Sequence, residues 1–96
     1  KRVSLELGGK NPQIVMEDAD MELALEGVLW GAFGTTGQRC TATSRLIIQE
    51  SIHDKFMSML VERVKKLKIG NGLNEDIDMG PIINEAQMNK ILNYID

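Results

Sequence analysis

The chain has 96 residues, a formal net charge of −3 and a single cysteine. This length allows one domain with a modest core, and its basic residues do not cluster with aromatic ones as they do in nucleic-acid-binding proteins. Its apolar runs are far shorter than the roughly 20 residues that span a bilayer, so we expect neither a nucleic-acid nor a membrane partner.

The single cysteine, Cys40, cannot form an internal disulfide. The single histidine, His53, leaves no set of Cys and His residues at metal-ligand spacing, so we expect no metal site in this chain. The first residue is Lys1 and not methionine, which we interpret as the mark of a piece of a longer protein.

Residues 11–16 read "NPQIVM", a pattern typical of a short buried strand. Asp18 and Asp20 follow as candidate N-caps for a helix over residues 21–33. One face of this helix carries larger apolar residues, namely Met21, Leu25, Val28, Leu29 and Ala32. A second face carries only small residues, namely Ala24, Gly27, Gly31 and Gly34. The pattern predicts a helix buried on nearly every side, with another backbone close to the glycines.

Residues 45–49, "RLIIQ", predict a second strand, and "SIHD" predicts a capping box in which Ser51 caps a helix and Asp54 occupies its third position. The apolar face of that helix is predicted to comprise Phe56, Leu60, Val64 and Leu67. A turn-rich loop then leads to Pro81.

A last helix is predicted after Asn84, which can cap it, with Gln87 closing the capping box. Alternation of strand and helix along the chain indicates an α/β fold with parallel strands.

Two short segments suggest chemistry. The segment "FGTTGQRC" brings Cys40 out on a flexible polar loop, whereas a structural cysteine usually packs among aliphatic side chains. The segment "ELGGK" places Glu6 at the end of an alternating apolar run, before a Gly-Gly turn that would present its carboxylate at a strand end above a cleft. A carboxylate near a cysteine suggests covalent catalysis assisted by a base.

These two segments, in this order and at this spacing, make the chain similar to the aldehyde dehydrogenase superfamily, whose signatures are an "ELGGK" segment and an "FxxxGQxC" segment. The later Gly80-Pro81 pair and the helix "NEAQMNKILNYI" also resemble the family, so the resemblance covers essentially the whole chain.

The resemblance implies NAD- or NADP-dependent oxidation of a small aldehyde to a carboxylic acid. Cys40 would be the nucleophile that forms a thiohemiacetal and then a thioester, and Glu6 the general base that activates water. The backbone N–H of Cys40 would help to bind the oxyanion. Gly8 would line the cofactor cleft, although a turn explains it as well. Gln87 would contact the cofactor ribose, although its capping role is an equally adequate explanation.

The family fold implies a three-layer αβα architecture with a largely parallel sheet. Residues 1–8 would end the cofactor-binding domain, and residues 9–96 would form the N-terminal part of the catalytic domain. We expect a cytoplasmic homodimer or homotetramer at full length. The chain has no Gly-rich dinucleotide-binding turn, so we expect the 96 residues alone to be inactive.

Two other interpretations stay open. A coenzyme-A-acylating relative would pass the thioester to a thiol, but it would not need a water-activating base such as Glu6. A non-catalytic structural paralogue on the same fold would not need to retain both Glu6 and Cys40.

Overall fold

A computed structural model describes residues 1–95 of the chain. Its elements are β1 (Asn11–Val15), α1 (Met21–Phe33), β2 (Thr43–Ile48), α2 (His53–Val64) and α3 (Glu85–Ile95). Each predicted strand and helix is therefore present. The strand bounds differ from the predicted ones, because β1 ends one residue earlier and β2 begins at Thr43 and ends at Ile48.

The two strands form a parallel pair, which confirms the predicted α/β class. Val15 lies opposite Ile48 in the register, and one irregularity falls between Asn11 and Pro12. The chain crosses from β1 to β2 through α1, as a parallel connection requires. Val15 is buried, while Ile14 and Ile47, on the opposite face, are exposed, so the helices of this chain cover one face of the sheet.

The core consists of apolar side chains from β1, α1 and α2, namely Val15, Leu25, Val28, Phe56 and Leu60. Phe56 is fully buried at its centre, as the amphipathic pattern of α2 predicts. Leu67, however, lies beyond the end of this helix, because α2 ends at Val64.

Helix α1 begins as predicted, with the Asp20 side chain accepting a hydrogen bond from the Leu23 N–H. The prediction that nearly every face is buried is wrong for residues 1–95, since Leu23 and Trp30 are 69% and 64% exposed. The elements that pack on α1 in this chain cover only the side facing β1, β2 and α2. The close neighbours of its glycines are side chains and not a backbone: a Cβ on Gly31 would overlap the Thr43 hydroxyl of β2.

The predicted capping box at α2 is wrong. A 3₁₀ turn over Glu50–Ile52 precedes the helix, so Ile52 occupies the N-cap position and offers no side-chain hydrogen bond. Ser51 instead donates its hydroxyl to the Glu17 carboxylate at 2.9 Å. Ser51 therefore binds a residue distant in sequence, although the local pattern predicts that it caps α2.

Helix α3 is capped as predicted, because the Asn84 side chain accepts a hydrogen bond from the Gln87 N–H at 2.9 Å. The loop before it is closed by an isolated bridge between Ile69 and Met79. Across residues 1–95, the helices lack the combination of length and apolar character needed to cross a bilayer.

Candidate active site

The loop that carries Cys40 begins where α1 ends. A 3₁₀ turn over Gly34–Gly37 follows Phe33, and within it Thr35 and Thr36 have φ angles of 53° and 59°. β-Branched residues rarely adopt this left-handed conformation, and each such residue costs on the order of 1–3 kcal/mol. Strain of this kind persists only where the surroundings enforce it, and it is concentrated at functional sites.

Side chains of the loop anchor it to two other parts of the chain. Gln38 accepts a hydrogen bond from the Ile83 N–H at 3.2 Å, just before α3. Arg39 donates to the Trp30 carbonyl on α1 at 2.9 Å, and its guanidinium lies 4.7 Å from the centre of the Trp30 ring. These hydrogen bonds involve the two residues that immediately precede Cys40, so the chain leading to Cys40 is held in place.

The Cys40 thiol is exposed and not disulfide-bonded. Cys40 lines an open groove with a volume of about 590 Å³, which its loop shares with the glycine segment, Gly8 to Lys10, and with α3. Gly8 and Gln87 line the same groove. Three of the four residues that the sequence singles out are therefore brought together.

Glu6 is placed differently. It is exposed, it is not among the residues that line the groove, and no helix or strand forms over residues 1–10. The expectation that it ends a strand is wrong for this chain, because β1 begins only at Asn11 and the sheet of residues 1–95 contains no strand that pairs with the earlier segment. Glu6 precedes the groove-lining Gly8 by two positions.

Gln87 lies at the start of α3 and beside the groove. Its backbone N–H satisfies the cap of α3, while the residue also lines the groove. Lys10 connects the glycine segment to the same helix, since its ammonium lies 3.2 Å from the Tyr94 hydroxyl. In the part of the chain that the structure describes, no three His, Cys, Asp or Glu side chains are grouped so as to hold a metal ion.

Sequence reasoning missed the contacts that hold the Cys40 loop and the glycine segment. Asn11 donates its side-chain amide to the carbonyls of Cys40 and Ala42, at 2.6 and 3.2 Å. Arg45 donates to the Lys10 carbonyl through Nε and Nη2, at 2.9 and 2.6 Å. The partners are about thirty residues apart, so no local pattern indicates them.

Comparison with known proteins gives a consistent result. The sequence pattern of the aldehyde dehydrogenase family matches residues 1–96. The chain is 50% identical over 95 residues to an α-ketoglutaric semialdehyde dehydrogenase of Bacillus subtilis, covering 99% of this chain and 20% of that protein. It is 53% identical over 95 residues to a 2,5-dioxopentanoate dehydrogenase of Saccharolobus solfataricus, with the same coverage.

A crystal structure of betaine aldehyde dehydrogenase from Staphylococcus aureus in complex with NAD+ superimposes with a TM-score of 0.93 at 52% identity. The match covers 95% of this chain and 18% of that one. The chain thus spans about a fifth of the length of the proteins it matches.

Proposed function

Because the chain belongs to the aldehyde dehydrogenase family, we propose that the full-length protein oxidises an aldehyde to a carboxylic acid with NAD+ or NADP+. One observation supports this most directly: an exposed Cys40 thiol, on a strained and anchored loop, shares a groove with Gly8 and Gln87. The aldehyde dehydrogenases reported above, one of them bound to NAD+, support the reaction class.

Cys40 and Glu6 divide the chemistry. The Cys40 thiolate forms a bond to the aldehyde carbon, and the aldehyde oxygen becomes the oxyanion of a thiohemiacetal. The nicotinamide, when bound, supplies the acceptor for the hydride that this carbon loses. Glu6 takes a proton from water as the water oxygen attacks the resulting thioester, and the C–S bond breaks to release the acid and the Cys40 thiolate.

Two residues of the groove suit contact with part of a dinucleotide. A Cβ added to Gly8 would meet no atom within 4 Å, so the backbone there is open to close approach by a ligand. Gln87 adds an amide that can hydrogen-bond a hydroxyl group such as that of a ribose. Gly8 and Gln87 are thus the residues of this chain that would hold the cofactor.

The proposal extends to the organisation of the full-length protein. Residues 1–8 end the cofactor-binding domain and residues 9–96 begin the catalytic domain, a division supported by the positive φ of Gly8, 68°, shortly before β1. The enzyme is cytoplasmic and forms a homodimer or homotetramer.

The test is a panel of aldehydes, including α-ketoglutaric semialdehyde and betaine aldehyde, offered to the full-length protein with NAD+ or NADP+. We expect NADH or NADPH to form without coenzyme A. Cys40→Ser should lower the rate by at least about 10⁴-fold, because a hydroxyl is far less ionised than a thiol. Turnover that requires coenzyme A would favour the acylating alternative, and no turnover with any aldehyde would favour the structural paralogue.

A further inference from the structure

Asn11 is the first residue of β1, and its side-chain amide nitrogen lies within hydrogen-bond distance of two carbonyl oxygens of the Cys40 loop. Nδ2 lies 2.6 Å from the Cys40 carbonyl oxygen and 3.2 Å from that of Ala42. A carboxamide nitrogen has two N–H donors, so this one side chain can donate to the carbonyls of both Cys40 and Ala42. The bonds join the start of β1 directly to the residue that bears the thiol.

The backbone of β1 cannot supply these donors by itself. The residue after Asn11 is Pro12, which has no N–H to contribute to a ladder. The register is also irregular at this point, since Asn11 pairs with Thr43 but Pro12 pairs with Arg45. The Asn11 amide therefore replaces main-chain hydrogen bonds where the sheet ends and the Cys40 loop begins.

Gly9 makes this contact possible. A Cβ on Gly9 would overlap the Cys40 carbonyl oxygen and would lie 2.8 Å from the Asn11 amide nitrogen. Only glycine lets the two backbones approach this closely. The Cys40 carbonyl thus lies between the Gly9 backbone and the Asn11 side chain, which together restrict its orientation.

We propose that Asn11 is a positioning residue for Cys40, an inference that rests on the proposed function. Gln38 and Arg39 fix the chain before Cys40, and the Asn11 amide fixes the peptide unit after it. With both sides held, the thiol and the Cys40 N–H keep one orientation towards the aldehyde carbon and its oxygen. A displacement of the order of 1 Å at a reacting group lowers rates by up to about 10²-fold.

A second bond between the strands separates this role from ordinary stabilisation. Thr43 on β2 donates its hydroxyl to the Gln13 side chain of β1 at 3.2 Å, two residues along from Asn11. That bond also connects β1 to β2, but it does not involve Cys40. Thr43→Val, which keeps the branched shape and removes the donor, is therefore the matched control.

The experiment uses the full-length protein with its best aldehyde, and compares Asn11→Ala and Asn11→Asp with Thr43→Val. We expect both Asn11 variants to lose about 10- to 100-fold in kcat and in the pre-steady-state rate of NAD(P)H formation. Their KM for the cofactor should stay within about twofold. Thr43→Val should lower the Tm but leave kcat within about twofold of wild type.

Asn11→Asp provides a signature that a structural role would not give. It keeps the shape but cannot donate while ionised. Two carbonyl oxygens facing the carboxylate favour its protonation, and the Arg45 guanidinium, bound to the carbonyl of the preceding Lys10, opposes it. A protonated carboxyl donates one hydrogen bond, so the kcat of this variant relative to wild type should rise as the pH is lowered. Should Asn11→Ala not fold, this isosteric variant decides the matter.

The outcomes distinguish the proposed function from the positioning role of Asn11. Wild type without aldehyde turnover would contradict the proposed function itself. An active wild type whose Asn11 variants keep kcat within about twofold, or lose no more than Thr43→Val does, would overturn only the positioning role. A loss of kcat confined to the Asn11 variants, with the relative recovery at lower pH, supports it.

Discussion

The Cys40 loop and the segment of residues 1–10 meet at one groove, but they are held there in opposite ways. The loop is strained at Thr35 and Thr36 and is anchored by hydrogen bonds to α1, to β1 and to the chain before α3. In the preceding segment, Val3, Leu5 and Leu7 are between 69% and 85% exposed and no regular structure forms. The nucleophile is thus positioned by contacts within residues 1–95, whereas the candidate base is not.

Because of this difference, attack by the thiol and hydrolysis of the thioester should depend on different parts of the chain. Attack by the thiol needs the loop geometry, which β1, β2 and α1 supply. Hydrolysis needs a carboxylate above the groove. Along the chain after Glu6, the first residues in close contact with other elements are Gly9, against the Cys40 carbonyl, and Lys10, whose carbonyl binds Arg45. Variants in the two regions should therefore affect different steps.

The largest effect that separates the regions is expected for Glu6→Gln in the full-length enzyme. Loss of a general base lowers the rate by about 10²- to 10⁴-fold, and here the loss should fall on hydrolysis of the thioester. Stopped-flow absorbance should show a burst of NAD(P)H followed by a stall, and intact-mass measurement should detect an acyl group on Cys40. Glu26→Gln, the same change at an exposed position on α1, should retain normal turnover.

Two results would alter that assignment. Unchanged steady-state turnover in Glu6→Gln would remove Glu6 from the mechanism. A variant without a burst would show that Glu6 acts before the first chemical step, by activating the thiol.

A smaller effect is expected where the two regions touch. Gly9→Ala should destabilise the full-length protein by about 2–3 kcal/mol, because the new Cβ overlaps the backbone carbonyl of Cys40 and this carbonyl has little room to move. Gly8→Ala is the matched control: its Cβ meets no atom, so only its φ of 68° costs about 1 kcal/mol. Thermal unfolding of both variants measures the difference.

Equal losses of stability for the two alanine variants would contradict the close approach of Gly9 to Cys40. The contact between the loop and the glycine segment would then be looser than the structure describes, and the two regions would be independent.

Local patterns in the sequence predict the helices and strands around the groove. The N-cap at Asp20 and the cap of α3 by Asn84 depend on residues three positions apart, so the sequence shows them directly. Cys40 stands out because its neighbours are glycine and polar residues and not a core. The same reasoning places Ser51 at a helix cap, and it fails there because a distant carboxylate, that of Glu17, binds the hydroxyl.

The contacts that organise the groove could not be predicted in this way. The Asn11 amide reaches Cys40 across 29 positions, and Arg45 reaches Lys10 across 35. Such pairs depend on how β1 and β2 are aligned, which periodicity does not determine. The left-handed conformation of Thr35 could not be predicted either, because β-branched residues disfavour it and no sequence pattern indicates it here.

The smallest expected effect is a change in Tm on substitution of Thr35, and whether the Tm rises or falls is the informative result. Thr35 is exposed, and its hydroxyl donates only to the carbonyl of the preceding Gly34, so the side chain does little to offset the strain of a φ of 53°. Asparagine tolerates the left-handed region better than threonine. Thr35→Asn should therefore stabilise the full-length protein by about 0.5–1 kcal/mol, measured as a higher Tm. Thr43→Asn, the same exchange in the extended strand β2, should lower the Tm, because threonine favours strands and asparagine does not. A lower Tm for Thr35→Asn as well would show that the turn before Cys40 depends on the threonine side chain itself and not only on the backbone conformation that the anchors impose.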